Sequence, residues 1–378
     1  MTQIDRETSL ADWLERRKEM SRLLLGVCIR NLNVHGFDAS TRVQATALSR
    51  ILDIPRLFPR LFSHRRSREV QILSGINGVV NSGEMLLVLG RPGSGCTTFL
   101  KALAGDTHGI NVSSLSFVNY EGISFDQMHR QFKGESIYLA ELDIHLPDLT
   151  LAQTLTFAAA TRHQGSNRNA ISSKEALDVA ALLDLNKALH TWMGNHVIRG
   201  VSGGEKRRTS IAEAIVGGAQ LQCWDNSTRG LDSTTAQNFI DFLRKSTDEL
   251  QTTVAMTLYQ ASETMYKAGR QVYFGPVAAA AGYFEDLGFI RPSRSTTPDF
   301  LTSLTNPAER VIREGFEGSV PRSPDEFAET WRQSALAKEM HREMDTFDEA
   351  HPVYLHTKHR RTGEKPQQGG KLQPPYTL

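Results

Sequence analysis

The sequence predicts an α/β core with a helical insertion, and three observations carry that reading. A strand-like apolar run at 84–89 (EMLLVL) leads through a glycine-rich loop directly into a helical pattern. Two further strand-sized apolar runs, 221–224 and 252–258, each follow helical stretches. Between the glycine loop and those strands lies a long helical region, 151–189, and a second helix that opens at Ser202.

The 378 residues suffice for one large domain or two small ones with a genuine core. Lys and Arg number 43 against 42 Asp and Glu, so no bulk charge calls for nucleic acid or an acidic membrane surface. Cys28, Cys96 and Cys223 are far apart, which fits a reducing compartment rather than a disulfide or zinc framework. The charged opening MTQIDRETSLADWLERRKEM predicts no secretory leader. Apolar runs stay strand-sized, short of the roughly 20 residues a membrane span needs, so membrane attachment must come through another polypeptide segment. The twelve histidines show no metal-ligand spacing.

In chain order, 1–25 is a polar, helical lead-in and 26–36 alternates like a half-buried strand. The basic stretch 56–68 carries Pro59 and reads as a solvated loop, with a phospholipid or partner contact as the alternative. A turn is expected at Asn81, Ser82 and Gly83. After Pro276 come a helix at 277–287, a Ser/Thr/Pro-rich turn at 291–298, and further helix and loop. From 351 the chain is polar and linker-like, and no internal repeat is visible. The expected organisation is a lead-in at 1–25, a main domain at 26–310 with a helical part at 150–215, a helical extension at 311–350 and a linker at 351–378.

The loop reads GRPGSGCTT at 90–98: Gly90, Arg91, Pro92, Gly93, Ser94, Gly95, Cys96, Thr97 and Thr98. It keeps the spacing of G-x-x-x-x-G-K-[ST] and places Cys96 where the lysine belongs. Glycines let backbone N–H groups curl around phosphates, the next helix presents its N-terminus, and the Thr97 hydroxyl suits magnesium. The missing ammonium is worth on the order of 4 kcal/mol against a phosphate at about 4 Å and an effective dielectric near 20. Arg91, at the loop mouth, is a weak substitute. By itself the loop is equally a tight strand-to-helix turn.

Further motifs remove that ambiguity. VSGGEKRR starts at Val201, with Ser202, Gly203, Gly204 and Glu205 opening a helix that can cap itself and cradle an anion. Some twenty residues later LQCWDNSTRGLDS ends a short strand in Asp225, a carboxylate suited to magnesium. Cys223 and Trp224 read as core packing.

Together, GRPGSGCTTFLKALAG, YLAELDIHLPDLTLAQTL, NHVIRGVSGGE, CWDNSTRGLDS, GRQVYFGP and TTPDFLTSLTNPAER resemble the ATP-binding cassette, more narrowly the first cassette of fungal pleiotropic drug resistance (ABCG-type) transporters. The resemblance implies a P-loop NTPase (RecA-like) core with a helical subdomain and an N-terminal antiparallel β subdomain. It also implies ATP and Mg2+ as ligands, with Thr97 and Asp225 at the metal. A second nucleotide-binding domain and transmembrane domains would be the partners, on the cytoplasmic face of a membrane, the plasma membrane first. The family's catalytic glutamate aligns with Asn226, its Q-loop glutamine with Glu141 and its switch histidine with Tyr259. An amide cannot take a proton, and general-base help is worth roughly 10²- to 10⁴-fold. The intact signature at 201–205 would complete a partner's site, with Leu231, Asp232 and Ser233 as the D-loop between the two. Phe58 and Phe62 are candidates for adenine stacking, core packing being the alternative.

Two departures accompany the resemblance. Family members continue through a helix and a strand before GRQVYFGP, whereas here SETMYK runs directly into AGRQ, so a sheet strand is expected to be missing between Lys267 and Gly269. The ending PPYTL resembles the point where such a transporter is expected to approach its first membrane domain. A non-catalytic ATP-binding scaffold is the second reading. A soluble cassette acting on ribosomes or DNA would need tandem cassettes or a coiled-coil insertion, and the sequence carries neither.

Overall fold

The computed structural model describes residues 3–18, 23–37, 69–91, 93–162, 167–258 and 269–353. Helix α1 (Gln3–Lys18) precedes two long strands, β1 (Val27–Phe37) and β2 (Glu69–Val80), which pair antiparallel. After a turn closed by Glu84 N–H on the Asn81 carbonyl at 3.1 Å come β3 (Met85–Leu89) and α2 (Cys96–Ala104). Strands β4 (Ile110–Val112), β5 (Phe117–Tyr120) and β6 (Ile123–Ser124) extend the antiparallel sheet, and α3 (Phe125–Gln131) and β7 (Ser136–Leu139) lead back to the core.

This sheet runs β10-β2-β1-β5-β6 with β4 on β1, where the short β10 (Gly269–Arg270) joins β2 in parallel and the other pairs are antiparallel, and the expected N-terminal antiparallel β subdomain is its part from β1 to β6. The core sheet is parallel throughout, in the order β3-β9-β8-β7, where β8 is Leu221–Asp225 and β9 is Thr253–Leu258. Its middle strand β8 is buried at all five positions, as a parallel strand covered on both faces must be.

The helical region expected at 151–189 consists of two α-helices, α4 (Leu151–Ala160) and α5 (Arg168–Leu182), packed with α6 (Gly203–Gly217). Leu151, Leu155, Val179, Ile211 and Ile215 fill the space between them. The polar lead-in belongs to the same core: Trp13 and Leu14 of α1 are buried, and Trp13 lies 5.6 Å from the Phe242 ring of α7 (Ser233–Leu250).

Beyond β10 (Gly269–Arg270), α8 (Val277–Asp286), the hairpin of β11 (Phe289–Ile290) and β12 (Val311–Ile312), and α9 (Thr297–Ser303) enclose a second cluster around Phe284, Phe289 and Phe300. The turn expected at 291–298 stops at Thr296. There Thr296 and Asp299 form a capping box, and Pro298 falls in the first turn of α9, where its missing N–H costs nothing. Helices α10 (Pro324–Gln333) and α11 (Ala335–Ala350) lie against the antiparallel sheet, Trp331, Met340 and Met344 packing with Cys28 and Val79. Among the described residues no helix is long and apolar enough to cross a membrane.

Candidate functional site

The glycine loop springs from the end of β3 and opens α2. Gly93 (φ 83°) and Gly95 (φ 93°) take left-handed backbone that other residues adopt at a cost. A Cβ on Gly90 would come within 2.5 Å of Ser94 Oγ and Cys96 Sγ, so a side chain there would displace both groups from the loop. The Ser94 N–H donates to Arg91 O at 3.0 Å and the Phe99 N–H to Gly95 O at 2.8 Å. No side chain caps α2. The N-terminal, positive end of its dipole faces the loop, which is the arrangement that suits an anion.

Cys96 is buried, its Sγ 3.3 Å from Ser94 Oγ. Burial pushes its thiol above the ordinary range, the Ser94 contact opposes and the Asp225 charge adds. The position thus offers neither an ammonium nor a thiolate. Arg91 is buried, with a guanidinium nitrogen 3.8 Å from Glu309, so a carboxylate already draws on its charge.

Parallel pairing places Asp225 level with Thr257. The Asp225 carboxylate accepts from Thr257 Oγ1 at 2.6 Å and from Tyr138 Oη at 2.8 Å. The Thr257 hydroxyl in turn accepts the Asn226 N–H at 2.9 Å. Asn226 itself has φ 47°, and its side-chain amide donates to Glu141 at 3.3 Å. Glu141 also pairs with Arg229. Residues separated by 85 positions in sequence therefore meet as an amide and a carboxylate at the end of β8.

Ser202 caps α6 in a reciprocal box. Its N–H donates to Glu205 at 2.7 Å, and the Glu205 N–H donates to Ser202 Oγ at 3.3 Å. The Ser202 N–H and hydroxyl bonds hold the Glu205 carboxyl below its ordinary range. Ser202 and Gly203 are exposed, and a Cβ on Gly203 would meet nothing within 4 Å. A Cβ on Gly204 would stand 3.9 Å from the Gly230 carbonyl, which brings the helix start beside the loop containing Leu231 and Asp232. Asp232 caps α7 by accepting the Thr235 N–H at 3.0 Å, and Ser233 is the first helical residue.

Sequence reasoning missed the group that joins these parts. Arg207 is buried, and its guanidinium donates to Ala140 O (2.9 Å), Asp143 Oδ1 (3.1 Å), Asp225 O (3.2 Å), Asn226 O (3.2 Å) and Ser227 O (3.2 Å). One cation thus ties α6 to the segment after β7 and to the end of β8. The Ser210 hydroxyl donates to the same Asp143 oxygen at 2.6 Å. The legible signal was an arginine four residues before Ile211 on a stripe that continues to Ile215.

Pro92, Phe58, Phe62, Tyr259, Lys267, the basic stretch 56–68 and the tail from 354 lie outside the described residues. Among the described residues no three His, Cys, Asp or Glu side chains gather as a metal-ligand set. Chemically, the glycine loop fits a polyphosphate, and the Thr97 hydroxyl and Asp225 carboxylate are hard oxygen donors of the kind magnesium takes.

Residues 73–229 match the family described as ABC transporter. The ABC multidrug transporter C of Aspergillus fumigatus is 45% identical over 342 residues, covering 87% of this chain and 23% of its own length. The ABC-type transporter eriD of Hericium erinaceus is 44% identical over 367 residues, covering 93% and 25%. The chain therefore spans about a quarter of the length of the curated relatives it matches. A solved dimer of the ATP-binding cassette MJ0796 bound to ADP and phosphate aligns at 18% identity and a TM-score of 0.47, over 61% of this chain and 87% of that one. Residues 73–229, which hold the glycine loop and the helix capped by Ser202, thus form an ABC transporter domain, and fungal multidrug transporters are relatives at about 45% identity over most of the chain.

Proposed function

We propose that this cassette binds ATP with magnesium, does not hydrolyse it at its own site, and lends its signature helix to a second cassette. Together the two would drive efflux of drugs or lipids through transmembrane domains at the cytoplasmic face of a membrane, in the manner of the first cassette of a pleiotropic drug resistance pump. Gly90 to Thr98 would hold the phosphates, and Thr97 and Asp225 the metal, which supplies charge neutralisation when bound.

The observation that carries the reading is the amide of Asn226 set against the Glu141 carboxylate. Where hydrolysis wants a base beside Asp225, this chain has a group with no basicity. The nearest carboxylate is held by Arg229 and adds negative charge beside a polyphosphate. The neutral Cys96 removes further charge stabilisation. Ser202 and Gly203, by contrast, stand at the surface, free to meet a nucleotide held by another chain.

A membrane-domain contact is supported by the segment following Glu141. Leu142, Ile144 and Leu146 are 76%, 86% and 68% exposed, while the alternating Asp143 and His145 turn inward to Ser210. Three large apolar side chains held outward on one extended segment suit a protein partner.

The test is ATPase activity of the chain alone, with a partner cassette, and with the partner plus Ser202→Arg. We expect no turnover alone, and turnover with the partner that Ser202→Arg abolishes. Substantial hydrolysis by the isolated chain would overturn the reading, and partner activity indifferent to Ser202→Arg would leave only a nucleotide-binding scaffold.

A further inference from the structure

We propose that His145, in its doubly protonated form, is a pin that fixes the extended segment 142–146 against the signature helix α6, so that the hold on this segment depends on pH. The segment needs such a pin. β7 ends at Leu139, and among the described residues 141–146 join no sheet ladder. Its course is therefore set by side chains. Leu142, Ile144 and Leu146 face outward, which leaves Asp143 and His145 as the inward anchors. Arg207 fastens the near end through Ala140 O and Asp143, and His145 fastens the far end.

Hydrogen-bond arithmetic gives the protonation state that fits. The His145 side chain is 3% exposed, with Nδ1 3.3 Å from Glu213 Oε2. Its Nε2 lies 3.0 Å from Ser210 Oγ and 3.3 Å from the Lys206 carbonyl. A serine hydroxyl has one proton to give, and that of Ser210 goes to Asp143 Oδ1 at 2.6 Å, the shortest of its contacts. Toward His145 the hydroxyl then only accepts. Each ring nitrogen faces acceptors alone, an arrangement that the imidazolium satisfies on both sides. A neutral ring sets a nitrogen lone pair against an oxygen lone pair, or draws the Ser210 proton away from Asp143.

The charge count agrees. The charged groups facing this ring are Glu213 of α6 and, through Ser210, Asp143 of its own segment. Arg207 answers Asp143, and the Lys206 ammonium turns away to the Gly194 carbonyl at 2.8 Å. Two carboxylates thus stand against one guanidinium, and the imidazolium supplies the second positive charge. Histidine is the side chain that exchanges a proton within the physiological range, so the far end of the segment is released as pH rises. His145 is a positioning residue in this scheme, acting by placing Leu142, Ile144 and Leu146. The pin belongs to the chain's own mechanics and stands whether or not those side chains meet a membrane domain.

The experiment uses the full chain with a nitroxide at Ile144→Cys, where the side chain points to solvent. Cys28, Cys96 and Cys223 are buried and should escape labelling. A second preparation carries the label at Leu177→Cys, an exposed position of α5, to register general loosening. Nitrogen NMR of isotope-labelled histidine reports the ring's charge, with the His145 signals identified by their loss in His145→Gln. We expect both His145 ring nitrogens in the imidazolium range at about pH 5.5, and a mobile fraction at 144 that rises about twofold toward pH 8 as that signature is lost. In His145→Gln the label at 144 should be mobile throughout, and the label at 177 in the wild type should not respond. A neutral His145 ring at the acid end, mobility at 144 that ignores the ring's charge, a parallel response at 177, or the same response in His145→Gln would each overturn the proposal.

Discussion

The side-chain amide of Asn226 donates to the carboxylate of Glu141 across 3.3 Å, so two positions 85 apart in sequence form one hydrogen-bonded pair. Restoring a carboxylate at 226 alone would set two like charges in contact, with Arg229 left to serve both. Asn226→Glu should therefore melt below the wild type at pH 8 by about 1–3 kcal/mol, the cost of an unmatched polar group. Asn226→Glu with Glu141→Gln should recover most of that loss. The gap between single and double variants should narrow at pH 5, as one carboxyl takes a proton, and thermal melts at the two pH values check this.

Arg207 should be among the most sensitive positions outside the apolar core. Arg207→Ala removes the buried cation that faces the Asp143 carboxylate, leaving it the Ser210 hydroxyl, and takes a donor from several buried carbonyls, a loss of about 3–5 kcal/mol by comparison with broken buried pairs. Arg207→Lys should recover little, because a single ammonium cannot reach both sides of the guanidinium fork. Denaturant melts give the magnitude. Hydrogen exchange should report loosening at 140–143 and 225–227 together.

Acid should weaken the fold through His129. Burial between Phe125 and Tyr120 lowers its pKa from 6.5 to about 4, the Asp126 charge opposing only in part. Between those values the unfolded chain holds the proton and the folded chain does not, so this contribution is whole above pH 6.5 and declines as pH falls toward 4. His129→Gln should flatten the stability profile within that window and leave its slope above pH 7 unchanged. Melting temperatures measured at half-unit steps decide the matter.

Two glycines with similar backbone should differ sharply on substitution. Gly105 ends α2 at φ 77°, and a Cβ there would fall 1.9 Å from the His129 ring, while Gly93 at φ 83° faces open space. Gly93→Ala should cost only the left-handed backbone, about 1–2 kcal/mol. Gly105→Ala should cost clearly more, because the imidazole must leave its site. Paired thermal melts of the two variants provide the comparison.

Much of the architecture was legible because local chemistry and global position agree. The helix expected directly after the glycine loop is Cys96–Ala104, since glycines at 93 and 95 force the turn and an apolar face follows. Ser202 was expected to cap its helix and does so, in a reciprocal box with Glu205. The turn at 291–298 was read too far because Thr296 and Pro298 serve loops and helix starts alike, and only the reach of Thr296 to Asp299 decides between them. The Arg207 clamp was hidden for a different reason. Its acceptors are mainly backbone carbonyls, which leave no residue-type signal, and the one side chain among them, Asp143, sits 64 positions away. The meeting of Tyr138 and Thr257 on Asp225 likewise depends on sheet register, which a single strand does not reveal.

The packing of α1 and α11 bears on what counts as a folding unit. Trp13 and Leu14 plug the same apolar interior as Leu155 and Ile215, and Arg17 both pairs with Glu175 and reaches the Val216 carbonyl at 3.0 Å. At the other end, Met344 and Phe347 roof Cys28. The segment matched as ABC transporter, 73–229, would lose that plug if excised, together with β1 and β9, the strands that pair with β2, β3 and β8. The folded unit thus extends past that segment at both ends, and trimming to 73–229 should yield an aggregating fragment rather than a minimal domain.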